Sequence, residues 1–462
     1  MPPHRPLPAL LLAVGAGLSF HVAYLTHWGP AGMLLFFCFL LGLTRLDTAR
    51  RAFNYGVGIG LACYAPHLAW MWNIFGVPAV ALWMVLPIWL GVFLMLAAFV
   101  HRRFPFWAAW PVIPVLWLGV EYFRSELYPL KFSWLNVGYA LPSQLSQAGM
   151  YAAGFAACLL GTTVALLWQR SWKLGLANAA AILLLGSLIV PNLVPPASRS
   201  GPPRFKVAGI QLEIPNEGAV LSALRQVARK HPDAPLIVLS EYTFHGPVPD
   251  AVRAWCRENG KWLVAGGEAP LGTTNYFNTA FVVGTNGDIV FQQAKSVPIQ
   301  FFRDGLPATQ QRVWESPWGN IGLCICYDLS YTRVTDELIR QGAQMIVCPT
   351  MDVHSWGRYE HELHARVAPV RAAEYGVPIF RVASSGISQA VDRQGAVCAM
   401  TPFASQGEIL VAPLTPTGPP GSLPLDRRLA PPAVIVTGLI AAYALSLRLV
   451  GARAKPAVAT KD

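Results

Sequence analysis

Three short segments of this chain each end a strand-like run on a residue able to do chemistry. Pro235–Ser240 runs into Glu241, Ile289–Ala294 into Lys295, and Ile321–Ile325 into Cys326, which Tyr327 and Asp328 follow. In α/β folds a charged group at a strand's end faces the ligand crevice. A thiol, a carboxylate and an ammonium suffice for acyl transfer through a thioester. Cys326 supplies the nucleophile, Glu241 takes its proton, and Lys295 stabilises the thiolate and the developing oxyanion. Taken singly, each has a plainer reading. A cysteine in an apolar strand packs, as Cys324 is expected to, and a glutamate or lysine after a strand is usually a solvated turn residue.

The elements that must position these residues alternate. Phe205–Gln211, Leu236–Leu239, Trp262–Gly266, Thr279–Val283, Ile321–Tyr327 and Met345–Cys348 read as strands. Leu221–Lys230 reads as a helix, and the run from Tyr359 to Tyr375 predicts one long amphipathic helix. Such alternation implies an α/β layered domain with helices covering a sheet. Pro- and Gly-rich stretches at 194–203 and 415–424 read as linkers.

The rest of the chain has a different solvent. Of its 462 residues, 54% are hydrophobic and 13% charged, where a soluble domain carries about a quarter charged. Mean hydropathy is +0.41. Apolar runs at 8–25, 31–44, 54–74, 78–100, 106–123, 147–168 and 174–193 precede the α/β segment, and 431–449 follows it. Most approach the roughly 20 residues that cross a bilayer core. No small-residue cleavage site follows the first run, so it reads as a retained span. The expected organisation is a seven-span membrane domain over 1–195, the α/β domain over 204–415, an eighth span over 429–450 and a tail over 451–462.

Charge orients the set. His4 and Arg5, then Arg45, Arg50 and Arg51, then Arg102 and Arg103, then Arg170 and Lys173 fall on one side, as do Arg453, Lys455 and Lys461 of the tail. The positive-inside rule makes that side cytoplasmic and turns the α/β domain outward. Arg427 and Arg428, just before the last span, dissent. The net charge of +11 is spread along loops and forms no dense patch, which argues against nucleic acid and for anionic lipid. The eight cysteines show no metal-ligand spacing, and Cys38, Cys63 and Cys158 lie in apolar runs as packing residues. No metal and no cofactor is expected.

The motifs resemble the nitrilase (carbon–nitrogen hydrolase) superfamily, and within it the bacterial apolipoprotein N-acyltransferase family. SEYTF around Glu241 resembles the block of the catalytic acid. NYFNTAFVVGTNGDIV resembles the strand and hairpin that follow, Ala294-Lys295 the lysine block, and ICYDLS the nucleophile block. Downstream, Arg371, Glu374, Gly376, Pro378, Arg381 and Gly386 fall in family order, and EYFRSELYPLKFSWLNVGYAL resembles the loop before the sixth span. The resemblance implies a multi-pass α-helical membrane domain plus an α/β nitrilase-like domain, an αββα sandwich. It implies Glu241, Lys295 and Cys326 as catalytic residues, and Tyr327, Asp328, Trp356, Trp134 and Gln300 as substrate-binding residues. Phe132 and Tyr139 are further candidates for a lipid doorway.

The implied reaction is a two-step acyl transfer in the cell inner membrane, on its periplasmic side. A phospholipid acylates Cys326, and the N-terminal amine of a diacylglyceryl-modified lipoprotein then takes the chain. A membrane-tethered acyltransferase or amidase with another amine or amide substrate is the alternative. A monomer is expected, because the spans obstruct the surface through which nitrilase domains pair. Two departures stand out. The stretch Val297–Arg303 lacks the second glutamate usual after the lysine, which raises the question whether Gln300 replaces it. Asp328 stands where the family often has glutamate.

Overall fold

The computed structural model describes residues 6–171, 173, 180, 205–403 and 407–453. Apart from Lys173 and Ala180, the expected seventh span and the linker after it lie outside the described residues, as do His4, Arg5, Lys455 and Lys461.

The membrane part comprises α1 (Pro6–Leu25), α2 (Gly29–Gly42), α3 (Ala49–His67), the short α4 (Met71–Phe75), α5 (Ala79–Arg103), α6 (Phe106–Tyr122) and α7 (Met150–Arg170). Among the described residues, five helical stretches are long and apolar enough to cross a membrane: Pro8–Leu25, Ala79–Arg103, Phe106–Leu127, Met150–Trp168 and Asp426–Val450. Gly29–Arg45 is apolar but shorter. The run expected as one span over 54–74 is instead two helices. Pro66, which has no N–H to give, sits in the last turn of α3, and α4 begins after a break. Helices α3 and α5 pack backbone to backbone at Gly56 and Gly60. A Cβ on Gly56 would lie 2.6 Å from Gly91 Cα, and one on Gly60 2.6 Å from Pro87 Cα. Small residues allow that approach in lipid, where dispersion must hold helices together.

The α/β part is a four-layer αββα sandwich. Strands β1 (Phe205–Ile210), β2 (Leu236–Leu239), β3 (Trp262–Leu271), β4 (Asn275–Val283), β5 (Ile289–Ala294) and β12 (Ile409–Leu414) form one six-stranded sheet, ordered β12-β1-β2-β3-β4-β5. Strands β6 (Val313–Ser316), β7 (Gly319–Leu323), β8 (Met345–Thr350), β9 (Ile379–Ala383), β10 (Gln389–Val391) and β11 (Val397–Met400) form the other, ordered β11-β10-β9-β8-β7-β6. Strand β2 shows why the sequence folds this way. Leu236 and Val238 enter the core between the sheets, while Ile237 and Leu239 pack under α8 (Glu217–Lys230) and α9 (Asp250–Asn259). A strand buried on both faces must be apolar at every position, and all four residues are.

On the other sheet lie α10 (Thr332–Arg340), α11 (Arg358–Ala365) and α12 (Val367–Tyr375). The long helix expected from Tyr359 to Tyr375 is thus broken at Arg366. Pro369 has no N–H for the Ala365 carbonyl, so the helical ladder cannot run through. This layer shares one continuous core with the membrane helices: Leu329, Tyr331, Val367 and Tyr375 cluster with Trp134, Tyr139 and Tyr151.

Polar contacts fix the docking. Arg366 donates to the Tyr24 carbonyl (2.7 Å), Met150 N to Glu374 (2.6 Å), and Tyr359 meets His67. The last helix, α13 (Asp426–Arg453), begins at this seam. Arg427 there pairs with Asp336 (2.9 Å), Asp426 (2.6 Å) and Glu374 (3.3 Å). This arginine is therefore a buried structural cation, which accounts for its dissent from the loop-charge pattern. The loops that touch the α/β domain follow α1, α3 and α6 or precede α7 and α13. Arg102 instead donates to Leu46 O (2.6 Å) and joins the basic loops at the other helix ends.

Candidate active site

Each expected catalytic residue follows a sheet strand. Glu241 comes after β2, Lys295 after β5 and Cys326 after β7, at the start of a 3₁₀ turn (Cys326–Ser330). Cys326 has φ +51°, in the left-handed region that a side chain occupies only when its surroundings dictate it. The turn aims its thiol out of the strand direction.

Lys295 Nζ lies 2.8 Å from Glu241 Oε1 and 2.7 Å from Asp304 Oδ2, and all three side chains are buried. Asn278 on β4 donates to both acids, at 2.6 Å to Glu241 and 2.9 Å to Asp304. Glu241 Oε2 accepts from Met351 N (2.8 Å), and Cys326 Sγ faces the carbonyl of the same Met351 at 3.8 Å. Glu241 and Cys326 are thus tied to one residue, Met351, just past the end of β8.

Asp304 is the residue that sequence reasoning missed. It accepts from Tyr242 OH (2.8 Å) and Ile299 N (2.7 Å). A second acid after Lys295 does exist, then, carried in by the turn at Phe301 (φ +68°). Gln300 does not replace it. Its amide reaches the Pro129 carbonyl at the membrane seam.

The electrostatics separate the roles of the two acids. Burial raises Glu241 above the ordinary carboxylate range in spite of Lys295. Burial also pushes Asp304 up, but Lys295 and the bonds from Ile299 and Tyr242 outweigh it and hold that acid below the range. The environment thus pushes the two acids apart, Glu241 toward holding a proton and Asp304 toward a fixed anion, a separation that suits one to carry a proton and the other to hold a charge. Lys295 is held protonated: burial opposes its charge, and Glu241 and Asp304 overcome that. Burial, then the Glu241 charge, push Cys326 well up, so at rest it is a thiol. A thiol in that state needs a base to become a nucleophile, and Glu241 is the carboxylate that shares Met351 with it.

Of the other expected residues, Tyr327, Trp356, Trp134 and Gln300 come together in the wall of one apolar cavity, as does Phe132. The cavity lies between α4, α5, the loop 130–134 and the arm 299–302. Tyr139 does not line it. Asp328 does not either. Its buried carboxylate accepts from Ser296 N (3.0 Å), Val297 N (2.7 Å) and Ile325 N (3.3 Å), stitching the lysine segment to the cysteine turn. That makes it a positioning residue. Cys324 is buried in the core, as expected.

Behind Cys326, donors from Asp352 and His364 lie within 4.8 Å of its sulfur and of one another. They could in principle hold a cation. Asp352, however, already pairs with the buried Arg381 and with His364 Nδ1 (2.7 Å), and a guanidinium on the shared carboxylate repels a metal ion.

Comparison with known proteins then decides the family. Residues 206–417 match the carbon–nitrogen hydrolase model and residues 13–167 the apolipoprotein N-acyltransferase N-terminal domain, so both halves match in one chain. The chain belongs to the apolipoprotein N-acyltransferase family. Its relatives in this acyltransferase family include proteins from Geobacter metallireducens (24% identical, over 86% of this chain and 87% of the relative) and Pseudomonas syringae (25%, 87% and 90%). The catalytic part alone resembles the deaminated glutathione amidase of Dictyostelium discoideum (27% identical, over 33% of this chain and 60% of that protein). The crystal structure of Saccharomyces cerevisiae Nit3, of the nitrilase superfamily, superposes with a TM-score of 0.42 at 20% identity, over 48% of this chain and 93% of that one.

Proposed function

We propose that this protein moves a fatty acyl chain from a membrane phospholipid to the N-terminal amine of a lipidated lipoprotein, through a thioester on Cys326. The observation that carries this reading is the apolar cavity. Membrane helices and catalytic domain build it jointly, and its wall includes Tyr327, next to the nucleophile. A soluble amide substrate has no use for a pocket walled by Leu68 just after α3, by Met71 at the start of α4 and by Leu82, Val85 and Leu86 of α5; an acyl chain does.

In the first half, Glu241 takes the Sγ proton as sulfur attacks the ester carbonyl. Lys295 stabilises the oxyanion, and Glu241 returns the proton to the departing lysophospholipid alcohol. In the second half, the amine attacks the thioester, Glu241 takes a proton from nitrogen, and the thiolate leaves toward Lys295. Asp304 holds Lys295 in place throughout.

The family and the basic loops opposite the catalytic domain support a cell inner membrane location with residues 204–415 on the periplasmic face, between seven spans and an eighth. The same seam of buried contacts supports a monomer. Mass spectrometry of the chain after incubation with phospholipid vesicles tests the chemistry. An acyl adduct on Cys326, absent in Cys326→Ala, is expected. No adduct on the wild type, or equal labelling of Cys326→Ala, overturns it.

A further inference from the structure

The acceptor presents a proton problem that Glu241 alone does not solve. A free α-amine has an ordinary pKa of about 8, so near neutral pH the acceptor arrives mainly as an ammonium ion. Nitrogen must lose one proton before it can attack and a second as the amide forms. Glu241 takes and returns one proton per half-reaction, which leaves the other without a destination.

One carboxyl in the cavity wall has no assigned work. Glu360, on α11, lines the acyl cavity and is 1% exposed. Its Oε2 has no hydrogen-bond partner. His361 Nδ1 comes within 3.2 Å of it, but that nitrogen is bonded to the Gly357 carbonyl (2.9 Å). Oε1 lies 3.9 Å from His364 Nδ1, and a single imidazole therefore separates Glu360 from the Cys326 sulfur. A buried carboxyl oxygen without a donor is costly, and in a cavity wall a donor can be supplied by a ligand. Lys131 is the other charged residue of that wall, and it repels cations.

We propose that Glu360 is the subsite for the acceptor's amine, its open carboxyl oxygen receiving the ammonium group and taking the first of its two protons. This rests on the amide-forming reading above. Burial, then the Asp352 carboxylate, hold Glu360 well above the ordinary range against the pull of Arg381, so the empty site carries a neutral acid. His361 and His364 stand beside it, and Tyr327 and Lys131 share its cavity wall. When the ammonium enters, the resting proton of Glu360 leaves to water, and the carboxylate then takes one proton from nitrogen. Glu360 is again neutral and the amine is free to attack. Glu241 takes the second proton, and the expelled thiolate recovers it.

The test starts from thioester-loaded enzyme in nanodiscs and follows its discharge by a synthetic peptide with a diacylglyceryl N-terminal cysteine, or by hydroxylamine, which is neutral at pH 7. E360Q is expected to accumulate the thioester and to discharge it to the peptide at least tenfold more slowly than wild type at pH 6.5. Hydroxylamine discharge should change less than threefold. Raising the pH to 8.5 should recover most of the peptide rate. Equal slowing of both nucleophiles, or no slowing, overturns the assignment. The wild type gives a check that does not depend on the variant's folding. At saturating peptide, where the ion pair is already formed and its proton already released, discharge should vary less than threefold between pH 6.5 and 8.5, and a tenfold rise per pH unit overturns the proposal. Failure of the wild type to form any thioester would instead defeat the acyl-transfer reading itself.

Discussion

Asp304 Oδ2 stands 2.7 Å from Lys295 Nζ, closer than Glu241 Oε1 at 2.8 Å. The lysine is therefore clamped between two acids and not simply paired with one. Removing Asp304 takes away one anchor and leaves the buried ammonium to Glu241 alone, which then becomes a fixed counter-ion and a poorer base. D304N is expected to slow thioester formation on Cys326 about 100-fold, the scale set by losing one preorganised electrostatic partner. D304E, which restores the charge, should recover part of it. Stopped-flow labelling with a chromogenic thioester-forming ester checks this, and an unimpaired D304N would show that Lys295 needs only Glu241.

Asp328 predicts a different phenotype. Its carboxylate holds the N–H groups of Ser296, Val297 and Ile325 in a buried turn. D328A strands three donors, at roughly 1–3 kcal/mol each. A loss of about 3–5 kcal/mol in unfolding free energy is expected, with lysine and cysteine loops displaced together. Chemical denaturation of purified protein reads the effect. A variant that keeps its stability and loses only substrate affinity would return Asp328 to the substrate contacts where the family pattern first suggested it.

How far these roles could be read from sequence differs residue by residue. Glu241, Lys295 and Cys326 were legible because each ends a strand, and strand ends are local. Asp304 was not. It follows Lys295 across an irregular arm, and only the positive φ at Phe301 and the bond to Ile299 N bring it back. The break at Arg366 was foreshadowed by Pro369, but the apolar periodicity on both sides masked it. Arg427 looked like a topology signal because its partners Asp336 and Glu374 are 91 and 53 residues away, a distance that no local pattern spans. Nothing local sets Glu360 apart from other helical acids, and only the membrane helices across the cavity from it do so.

His364 gives the fold a pH dependence with a definite sign. Burial holds its imidazole down to about 4, with Arg381 and His361 helping and Asp352 opposing. The unfolded chain titrates near 6.5. Between those values the unfolded state binds a proton that the folded state does not, so stability is lost as the pH falls from 6.5 toward 4. The full effect is on the order of 3 kcal/mol. Asp352, which Arg381 and His364 hold below the ordinary range against burial, stays ionised throughout. H364Q should flatten this slope relative to wild type in thermal unfolding between pH 4 and 7. Parallel curves would mean that the ring is protonated in the folded protein.

Cys398 offers a direct reading of orientation. It is the exposed cysteine of the eight, on β11 of the catalytic domain, whereas Cys256, Cys324, Cys326 and Cys348 in the same domain are buried. The basic residues Arg45, Arg50, Arg51, Arg102 and Arg103 follow α2, open α3 or close α5, and the catalytic domain docks at the opposite helix ends. If those basic loops face the cytoplasm, Cys398 faces outward. A membrane-impermeant maleimide added to intact spheroplasts should then label the protein, and C398S should lose nearly all of that label. Labelling that appears only after the membrane is opened would put the catalytic domain on the cytoplasmic side, out of reach of any substrate presented on the outer surface.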